Sequence, residues 1–312
     1  MSHQPLTVKP QVAGISLSHP DRMMFPAAGA TKFDLARYYE AIAEWILPHL
    51  ADRPLTLVRC PAGVPSTGAR KGVDCLFMKH AKVWGPAPIR RVRIREKTKT
   101  GEYLVVDTLP ALIGLAQIDI LEVHTWNSRF ARVEQPDRIV VDLDPGADVS
   151  WPAIVEAAKL VRQLLSVLGL ASFVKTTGGR GAHVVIPIEP RAGWADCLAF
   201  ARAFAQALVR QRPGLFTERY AKSDRGRKIL VDYLRNNRTN TSIAAFSTRA
   251  RPEAPVSVPL AWSELSASRT PDRFTIRTVP ARLAKLQGDP WRDYWTSRQE
   301  LPHRAVHALE SL

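Results

Sequence analysis

The sequence predicts an α+β protein in two lobes, and three observations carry that class. From about residue 136 onward, apolar runs and amphipathic stretches follow one another as strand–helix–strand–strand–helix–strand. That order matches a split βαβ, ferredoxin-like unit. Before it lies a different mixture of short strands and helices, with no internal repeat and no long low-complexity linker. The chain 1–312 therefore reads as one domain, with an N-terminal lobe over about 15–135, a second lobe over about 136–290 and a helical tail over about 291–312. The third observation is "RIVVDLDPG", residues 138–146, a strand-like apolar run that carries two aspartates one residue apart. Strand side chains alternate faces, so Asp142 and Asp144 share one face at a spacing of roughly 7 Å. Such a pair requires positive charge beside it.

The first-half elements follow from local patterns. Thr31 as N-cap with Asp34 three residues on opens a helix through "LARYYEAIAEWILPHL". "RPLTLVRCPAG" reads as a strand ending in a turn. "APIRRVRIREKTKTGEY" alternates, with Arg91, Arg93 and Arg95 on one face and Val92 and Ile94 on the other. "ALIGLAQIDILEVHTW" reads as a helix running into a strand. In the second half the aspartate strand precedes a helix from Trp151 to about Leu168, then the strands "ASFVKT" and "HVVIPI", a helix over 192–210, and the strand "KILVDYL".

Composition bounds the partners. With 44 Lys+Arg against 29 Asp+Glu, the formal net charge is +15. This balance favours a polyanion such as nucleic acid, an anionic membrane surface or a phosphorylated substrate, although a solvated basic surface would show it too. No stretch reads as a membrane span, because the longest apolar run, from Trp151, carries Glu156, Lys159 and Arg162. The polar N-terminal stretch does not read as a signal peptide. Cys60, Cys75 and Cys197 are odd in number and lack CxxC spacing, so neither a disulfide framework nor a zinc site is expected, and a reducing cytoplasm fits best. His303 and His307 form an i, i+4 pair without an acidic residue between them, which argues a terminal amphipathic helix rather than a metal site.

Three stretches carry chemistry. Asp142 and Asp144 could bind divalent cations through hard oxygen ligands, or form a structural acidic pair near basic residues. "KTTGGRGAHVVIP", 175–187, places three glycines in four positions between two strands, an open turn whose N–H groups can face a phosphate. It is no Walker loop, since GxxxxGK[ST] is missing and a strand follows. Lys175, Thr177, Arg180 and His183 surround it and all can donate hydrogen bonds. In "RKILVDYLRNNRTNTSIAAFSTRARP", 227–252, Asp232 interrupts another apolar run, and Arg235, Arg238, Arg249 and Arg251 follow. In the split βαβ order this strand lies beside that of Asp142. Three carboxylates for two cations, with arginines and a glycine turn, suit phosphoryl or nucleotidyl transfer.

The trio "DLDP", "TTGGRGAH" and "VDYLRN" resembles the three motifs of the archaeo-eukaryotic primase superfamily, and more closely the polymerase domain of bacterial DNA ligase D. "HPDRMMFPAAGATKFDLARYYEAIA", "RPLTLVRCPAG", "FMKH", "LEVHTWNSR" and "STRARPEAPVSVPLAW" agree with that family over roughly 15–290. The resemblance implies a two-lobed primase-polymerase fold. It implies a metal-dependent nucleotidyltransferase that adds ribo- or deoxyribonucleotides to a DNA 3′-OH at gaps and breaks in end joining, with two Mn²⁺ or Mg²⁺ ions and a preference for ribonucleotides. Asp142, Asp144 and Asp232 match its catalytic metal-binding carboxylates. Thr177, His183, Arg235, Arg249, Lys79 and His124 match positions around the nucleotide, and Phe77 an aromatic that stacks on the incoming base. Arg22 and Lys32 match a basic pair that holds a 5′-phosphate across a gap, where the free N–H groups of the helix opening after Thr31 would add to the attraction. His19 stands where the family often has Asn, Arg22 replaces a common lysine, and Thr177 replaces serine. The implied partners are DNA with gaps or double-strand ends, NTP or dNTP, ligase and nuclease domains of the same polypeptide, and Ku. A monomer at the nucleoid, without membrane, is expected.

Two other classes compete. A haloacid-dehalogenase-like phosphatase also opens on an apolar strand ending in DxD, but it wants Gly-Thr/Val after the second Asp, and Pro145-Gly146 stands there. A non-catalytic DNA-end-binding module suits the charge, yet three carboxylates facing an anion oppose binding without metal.

Overall fold

The computed structural model describes residues 10–65, 75–81, 88–221, 223, 225–302 and 305–311. The N-terminal stretch read as polar and His303 lie outside the described residues. Two short ribbons open the chain, β1 (Gln11–Val12) with β2 (Ile15–Ser16) and β3 (Met23–Phe25) with β4 (Ala30–Thr31). The predicted capping box is present: Thr31 Oγ1 accepts from the Asp34 N–H, and the Asp34 carboxylate accepts from the Thr31 N–H. The helix it opens is two helices, α1 (Lys32–Ala41) and α2 (Ala43–Leu50), because Ile42 leaves the helical region at ψ 13°. The first sheet uses β5 (Leu55–Arg59), β6 (Leu76–Met78), β7 (Arg90–Arg95), β8 (Thr100–Val105) and β9 (Ile120–Thr125), with α3 (Leu109–Gln117) before β9. On β7 the three alternate arginines are exposed, and Val92 and Ile94 are buried, as the alternation requires.

The second half builds β10 (Arg138–Pro145), α4 (Trp151–Val167), β11 (Phe173–Thr176), β12 (Ala182–Pro187), α5 (Trp194–Gln211), β13 (Phe216–Thr217), β14 (Ile229–Asp232), β15 (Ser242–Ile243) and β16 (Pro259–Leu260). The short helices α6 (Val279–Leu283), α7 (Arg292–Thr296) and α8 (Ala305–Glu310) finish the chain. The second sheet runs β13-β14-β10-β12-β11-β16. Its central four strands are, in order of appearance, fourth, first, third and second, the ferredoxin-like order expected from sequence. β15 leaves this half of the chain and joins the first sheet beside β9, Ile243 opposite His124.

Ile139, Val141 and Leu143 point into the main core with α4 and α5 residues such as Val161 and Phe204. The other face of β10 is free of those helices. There Val140 and Val185 are covered by Trp291 and Tyr294 of the tail, and the Trp291 indole N–H donates to the Val174 carbonyl at 3.1 Å. Farther along the same face stand Asp142 and Asp144. Burying the apolar residues of both faces except at this one end leaves a polar site at the sheet's rim.

The cysteine expectation is corrected. Cys60 and Cys75 form a disulfide, because antiparallel pairing of β5 with β6 puts Arg59 opposite Leu76 and brings the two Cα atoms to 4.3 Å. Spacing of 15 residues in sequence hides that closure. Cys197 is free and buried in α5, and burial pushes its thiol up to about 12. Among the described residues, no helix is long and apolar enough to cross a membrane.

Candidate active site

Strand register assembles the site. Asp142 lies opposite His183 on one side and opposite Asp232 on the other, and His183 lies opposite Lys175. Directly opposed residues share a face. Lys175, His183, Asp142 and Asp232 thus form a row across four adjacent strands, with Asp144 two residues beyond Asp142. The positive charge that the paired aspartates demanded is there. The Arg235 Nε stands 2.9 Å from Asp142 Oδ2 and 3.1 Å from Asp232 Oδ2, between the two carboxylates. Arg225 Nη1 lies 2.5 Å from Asp144 Oδ2. His183 Nε2 is 3.3 Å from Asp142 Oδ1, and its buried Nδ1 has no hydrogen-bond partner.

The charges separate these groups. Burial raises the pKa of Asp142, but His183 and the Arg235 guanidinium outweigh it and hold the carboxyl well below its ordinary range. Burial raises Asp232, and the neighbouring Asp142 charge adds to this. The Asp232 Oδ1 accepts from the Tyr220 hydroxyl and the Leu234 N–H, both at 3.0 Å. Burial, and then Lys175, push His183 down to about 4, so its ring is neutral at pH 7.

A cleft of about 230 Å³ opens in front of the row. Asp142, Asp144, Thr177, His183, His124, Arg235 and Arg249 line it, together with Arg251, which follows in the same segment. The structure therefore brings together seven of the sequence-predicted residues, with Asp232 bound to them through Arg235. Phe77 stands at the rim, 67% exposed, its ring centroid 6.4 Å from that of His124. Lys79 is not brought to the cleft wall: its ammonium lies 4.0 Å from Glu96. Arg238 is also elsewhere, paired with Glu134 at 2.6 Å.

The glycine turn is tighter than the sequence suggests. Gly178 has φ +66°, and a Cβ there would stand 2.7 Å from Arg249 Cγ; a Cβ on Gly181 would meet the Leu143 carbonyl oxygen at 2.3 Å. The glycines thus admit close approach of β10 and the Arg249 segment. Thr177 Oγ1 donates to the Gly181 carbonyl at 3.1 Å and accepts from the Gly179 N–H at 3.2 Å, so part of the turn's hydrogen bonding closes on itself. Arg180 is bound to the Ala147 and Val149 carbonyls, both at 2.7 Å. Lys175 is buried beneath the turn, its ammonium donating to Ile243 O and Ser257 Oγ.

Glu122 escaped the sequence reading. Its Oε2 lies 2.8 Å from His124 Nε2, and its Oε1 accepts from Arg249 Nε at 3.0 Å and the Ala250 N–H at 2.9 Å. Burial raises its pKa, but His124 and Arg249 prevail and hold it at about 2. One carboxylate thus orients two residues of the cleft. The signal was present in "LEVHTW": Glu122 and His124 are two apart on a strand, hence on one face. Burial lowers the His124 pKa despite the Glu122 bond.

The predicted 5′-phosphate pair lies at the other end of β9. Arg22 Nη1 and Lys32 Nζ both reach Asp119, at 3.2 and 2.9 Å, and Arg59 Nη2, unforeseen, stands 3.6 Å from it. Lys32 is 1% exposed, and burial lowers its pKa in spite of Asp119. The expectation of free helix N–H groups facing an anion is corrected. The Lys32 and Phe33 N–H groups donate to the carbonyls of Arg22 and Pro20, and Asp34 N–H to Thr31, so the first turn is already satisfied by the preceding segment.

Among the described residues, no three His, Cys, Asp or Glu side chains stand close enough to hold a metal ion as they are. Arg235 between Asp142 and Asp232, and Arg225 on Asp144, are the cations at the carboxylates. Two guanidinium charges accommodated there, with oxygen-only anionic donors, fit a site for hard divalent cations that displace them.

A ferredoxin-like sheet thus carries three aspartates at one rim, facing a cleft lined by arginines. The family described as LigD, primase-polymerase domain, matches residues 31–291, and the chain belongs to it. It is 39% identical over 290 residues to the multifunctional non-homologous end joining protein LigD of Pseudomonas aeruginosa, covering 93% of this chain and 34% of the relative. The bifunctional non-homologous end joining protein LigD of Bacillus subtilis is 29% identical, over 97% of this chain and 48% of the relative. The chain thus spans between a third and a half of the length of these relatives. The solved polymerase domain from Mycobacterium tuberculosis ligase D in complex with DNA superposes with a TM-score of 0.81 at 30% identity, over 91% of this chain and 98% of that one.

Proposed function

We propose that this chain is a metal-dependent nucleotidyltransferase that adds nucleotides to a DNA 3′-OH at gaps and double-strand ends, as part of non-homologous end joining. The observation that carries this reading is the register that sets Asp142 directly between His183 and Asp232, facing a cleft with Arg249 and Arg251. Asp142, Asp144 and Asp232 would hold Mn²⁺ or Mg²⁺. Such ions activate the attacking hydroxyl and stabilise the departing pyrophosphate. Binding them requires Arg235 and Arg225 to give up their carboxylates, which leaves both guanidiniums available to phosphate oxygens.

The chain's own groups would do the rest. Arg249, fixed by Glu122, presents charge to the triphosphate. His183 and Thr177 line the cleft beside it and would donate to the nucleotide once released from Asp142 and the Gly181 carbonyl. Phe77, exposed at the rim, offers a face that any base can stack on. The cluster of Arg22, Arg59 and Lys32 on Asp119 would hold the 5′-phosphate on the far side of a gap. A solved relative in complex with DNA supports a nucleic-acid substrate, and relatives named as end joining proteins support the pathway. Ribonucleotides in preference to deoxyribonucleotides, and ligase, nuclease and Ku partners, belong to the same proposal.

The test is extension of a labelled primer on a gapped duplex with Mn²⁺ or Mg²⁺, offering each NTP and dNTP in turn. Lengthening of the primer supports the reading. Release of phosphate from a monoester without lengthening would make the chain a phosphatase, and DNA binding without either would make it an end-binding module.

A further inference from the structure

Away from the carboxylates lies a larger cavity, of about 450 Å³, at the opposite end of β10 and β12. Asp137 and Pro187 mark it, and Asp137 is five residues before Asp142, roughly 17 Å along an extended strand. Four arginines line it: Arg53, Arg129, Arg132 and Arg298. The acidic side chains on its wall are Asp137 and Glu189, so the lining carries two positive charges in excess. Arg53 is 2% exposed, and although two of its nitrogens bind Asp137 at 2.6 and 2.7 Å, its buried Nε has no hydrogen-bond partner. Asp137 must also serve Arg129, whose Nε lies 3.3 Å away. Arg298 shares Glu189 at 3.4 Å, and the exposed Arg132 has no ion-pair partner among the described residues. Trp295 completes the wall.

We propose that this cavity is a second, metal-independent site for a phosphate-bearing nucleotide, either free or as the phosphorylated end of a strand. Guanidinium forks match phosphate oxygens in bidentate geometry, and a partly enclosed cluster with excess charge loses little by admitting a dianion. The volume falls in the range of small-ligand pockets, and an indole wall suits a base. The carboxylate cleft also carries arginines, three against two aspartates on its wall, so chelation removes only its metal-dependent binding and a variant of Arg249 tells the two sites apart. This inference does not depend on the reaction proposed for the carboxylates.

The experiment is calorimetric titration of the protein in EDTA with ATP, AMP, a short 5′-phosphorylated oligonucleotide, its unphosphorylated form and a poly-glutamate peptide. ATP should bind at one site, and Arg132→Ala with Arg298→Ala should weaken it at least about a hundredfold, a loss of the size expected for two charge-assisted bonds. Both residues are exposed and outside the core, so the fold should survive, which circular dichroism checks. Arg249→Ala, in the other cleft, should leave the metal-free binding unchanged. AMP binding with no gain from strand phosphorylation identifies a free nucleotide as the ligand; a phosphorylation-dependent gain with weak AMP binding identifies a strand end. The proposal is overturned by no metal-free binding at millimolar nucleotide, by equal binding in the double variant, by loss in Arg249→Ala, or by binding of poly-glutamate alone.

Discussion

The two ends of β9 present opposite charge problems. At one end Asp119, one residue before the strand, holds Arg22, Arg59 and Lys32, three cations on one carboxylate. At the other, past Glu122 and His124, Asp142, Asp144 and Asp232 share Arg225 and Arg235, three carboxylates on two arginines. About five residues, or roughly 17 Å of extended chain, separate Asp119 from His124. Around Asp119 the cations outnumber the carboxylate, and around Asp142, Asp144 and Asp232 the carboxylates outnumber the guanidiniums bound to them, with Arg249 and Arg251 on the same cleft wall. On the function proposed above, an anion would complete the former and divalent cations the latter, so a single gapped DNA with bound metal would satisfy both. On two neighbouring sheets, the same residue types thus leave an excess of opposite sign.

Breaking the acidic end should have the largest effect. Asp142→Ala or Asp144→Ala should abolish primer extension, by about a thousandfold or more, since metal ions supply several kcal/mol of transition-state stabilisation. DNA binding should change little, whereas thermal stability should fall, because His183, Arg235 and Arg225 lose carboxylate partners, so extension is compared at a temperature where both variants are folded. Single-turnover extension with Mn²⁺, alongside gel-shift binding, makes the comparison; near-normal extension in either variant would remove these residues from catalysis. Next in size, His183→Ala and Arg249→Ala should each lower incorporation roughly tenfold to a hundredfold, the value of a charge-assisted hydrogen bond. Unaltered nucleotide KM and rate in both would reduce the cleft to a structural role.

How much of this was legible in the sequence depends on the range of the interaction. Alternation within one strand is enough to place Asp142 and Asp144 on one face. The order of strands and helices is enough to set the strand of Asp232 beside them, and the register puts Asp232 directly opposite Asp142. The split βαβ order and the capping box at Thr31 are equally local. What escaped depends on pairing between distant segments. Arg59 and Asp119 meet only because β5 lies against β9. Cys60 meets Cys75 only because β6 folds back on β5. Arg180 looks like a phosphate ligand from its company in sequence, and family resemblance places Lys79 at the nucleotide, yet their partners are two backbone carbonyls and Glu96. Solvated and committed cations look alike until the fold supplies their neighbours.

Glu122 sharpens the comparison, because it lies between the two ends of β9 yet serves only the cleft, through His124 and Arg249. Its carboxyl is held at about 2 against an ordinary 4.5. A depressed carboxyl pKa stabilises the folded state fully above the unfolded value and loses that contribution as pH falls through the folded one. The contribution is on the order of 3 kcal/mol, present above about pH 4.5 and fading toward pH 2. Glu122→Gln should therefore be less stable than the parent at neutral pH, with the gap closing over that window. Urea unfolding at a series of pH values reads it, and a gap that persists at pH 2 would place the loss in packing instead. Nucleotide affinity should also fall, since Arg249 and His124 lose their common partner.

The smallest effect, and the most selective, is expected at the basic end. Family resemblance singles out Arg22 with Lys32, but Lys32 is buried and its ammonium is bound to Asp119. Truncating it would leave a buried carboxylate short of a partner and would confuse stability with binding. Arg22 and Arg59 are partly exposed, at 29% and 27% of their side chains, and both can turn to a ligand. A terminal phosphate carries more charge than an internal diester, so it gains more from two extra cations. The double change Arg22→Ala, Arg59→Ala, with Lys32 left to hold Asp119, should erase the preference for gaps bearing a 5′-phosphate. Extension of a simple primer-template should hardly alter. The slope of log affinity against log salt should fall by up to about two, one for each cation withdrawn from the phosphate. Binding titrations on phosphorylated and unphosphorylated gaps over a salt series decide the matter. If the double variant still distinguishes the two gaps as the parent does, the excess positive charge at Asp119 serves something other than a 5′-phosphate.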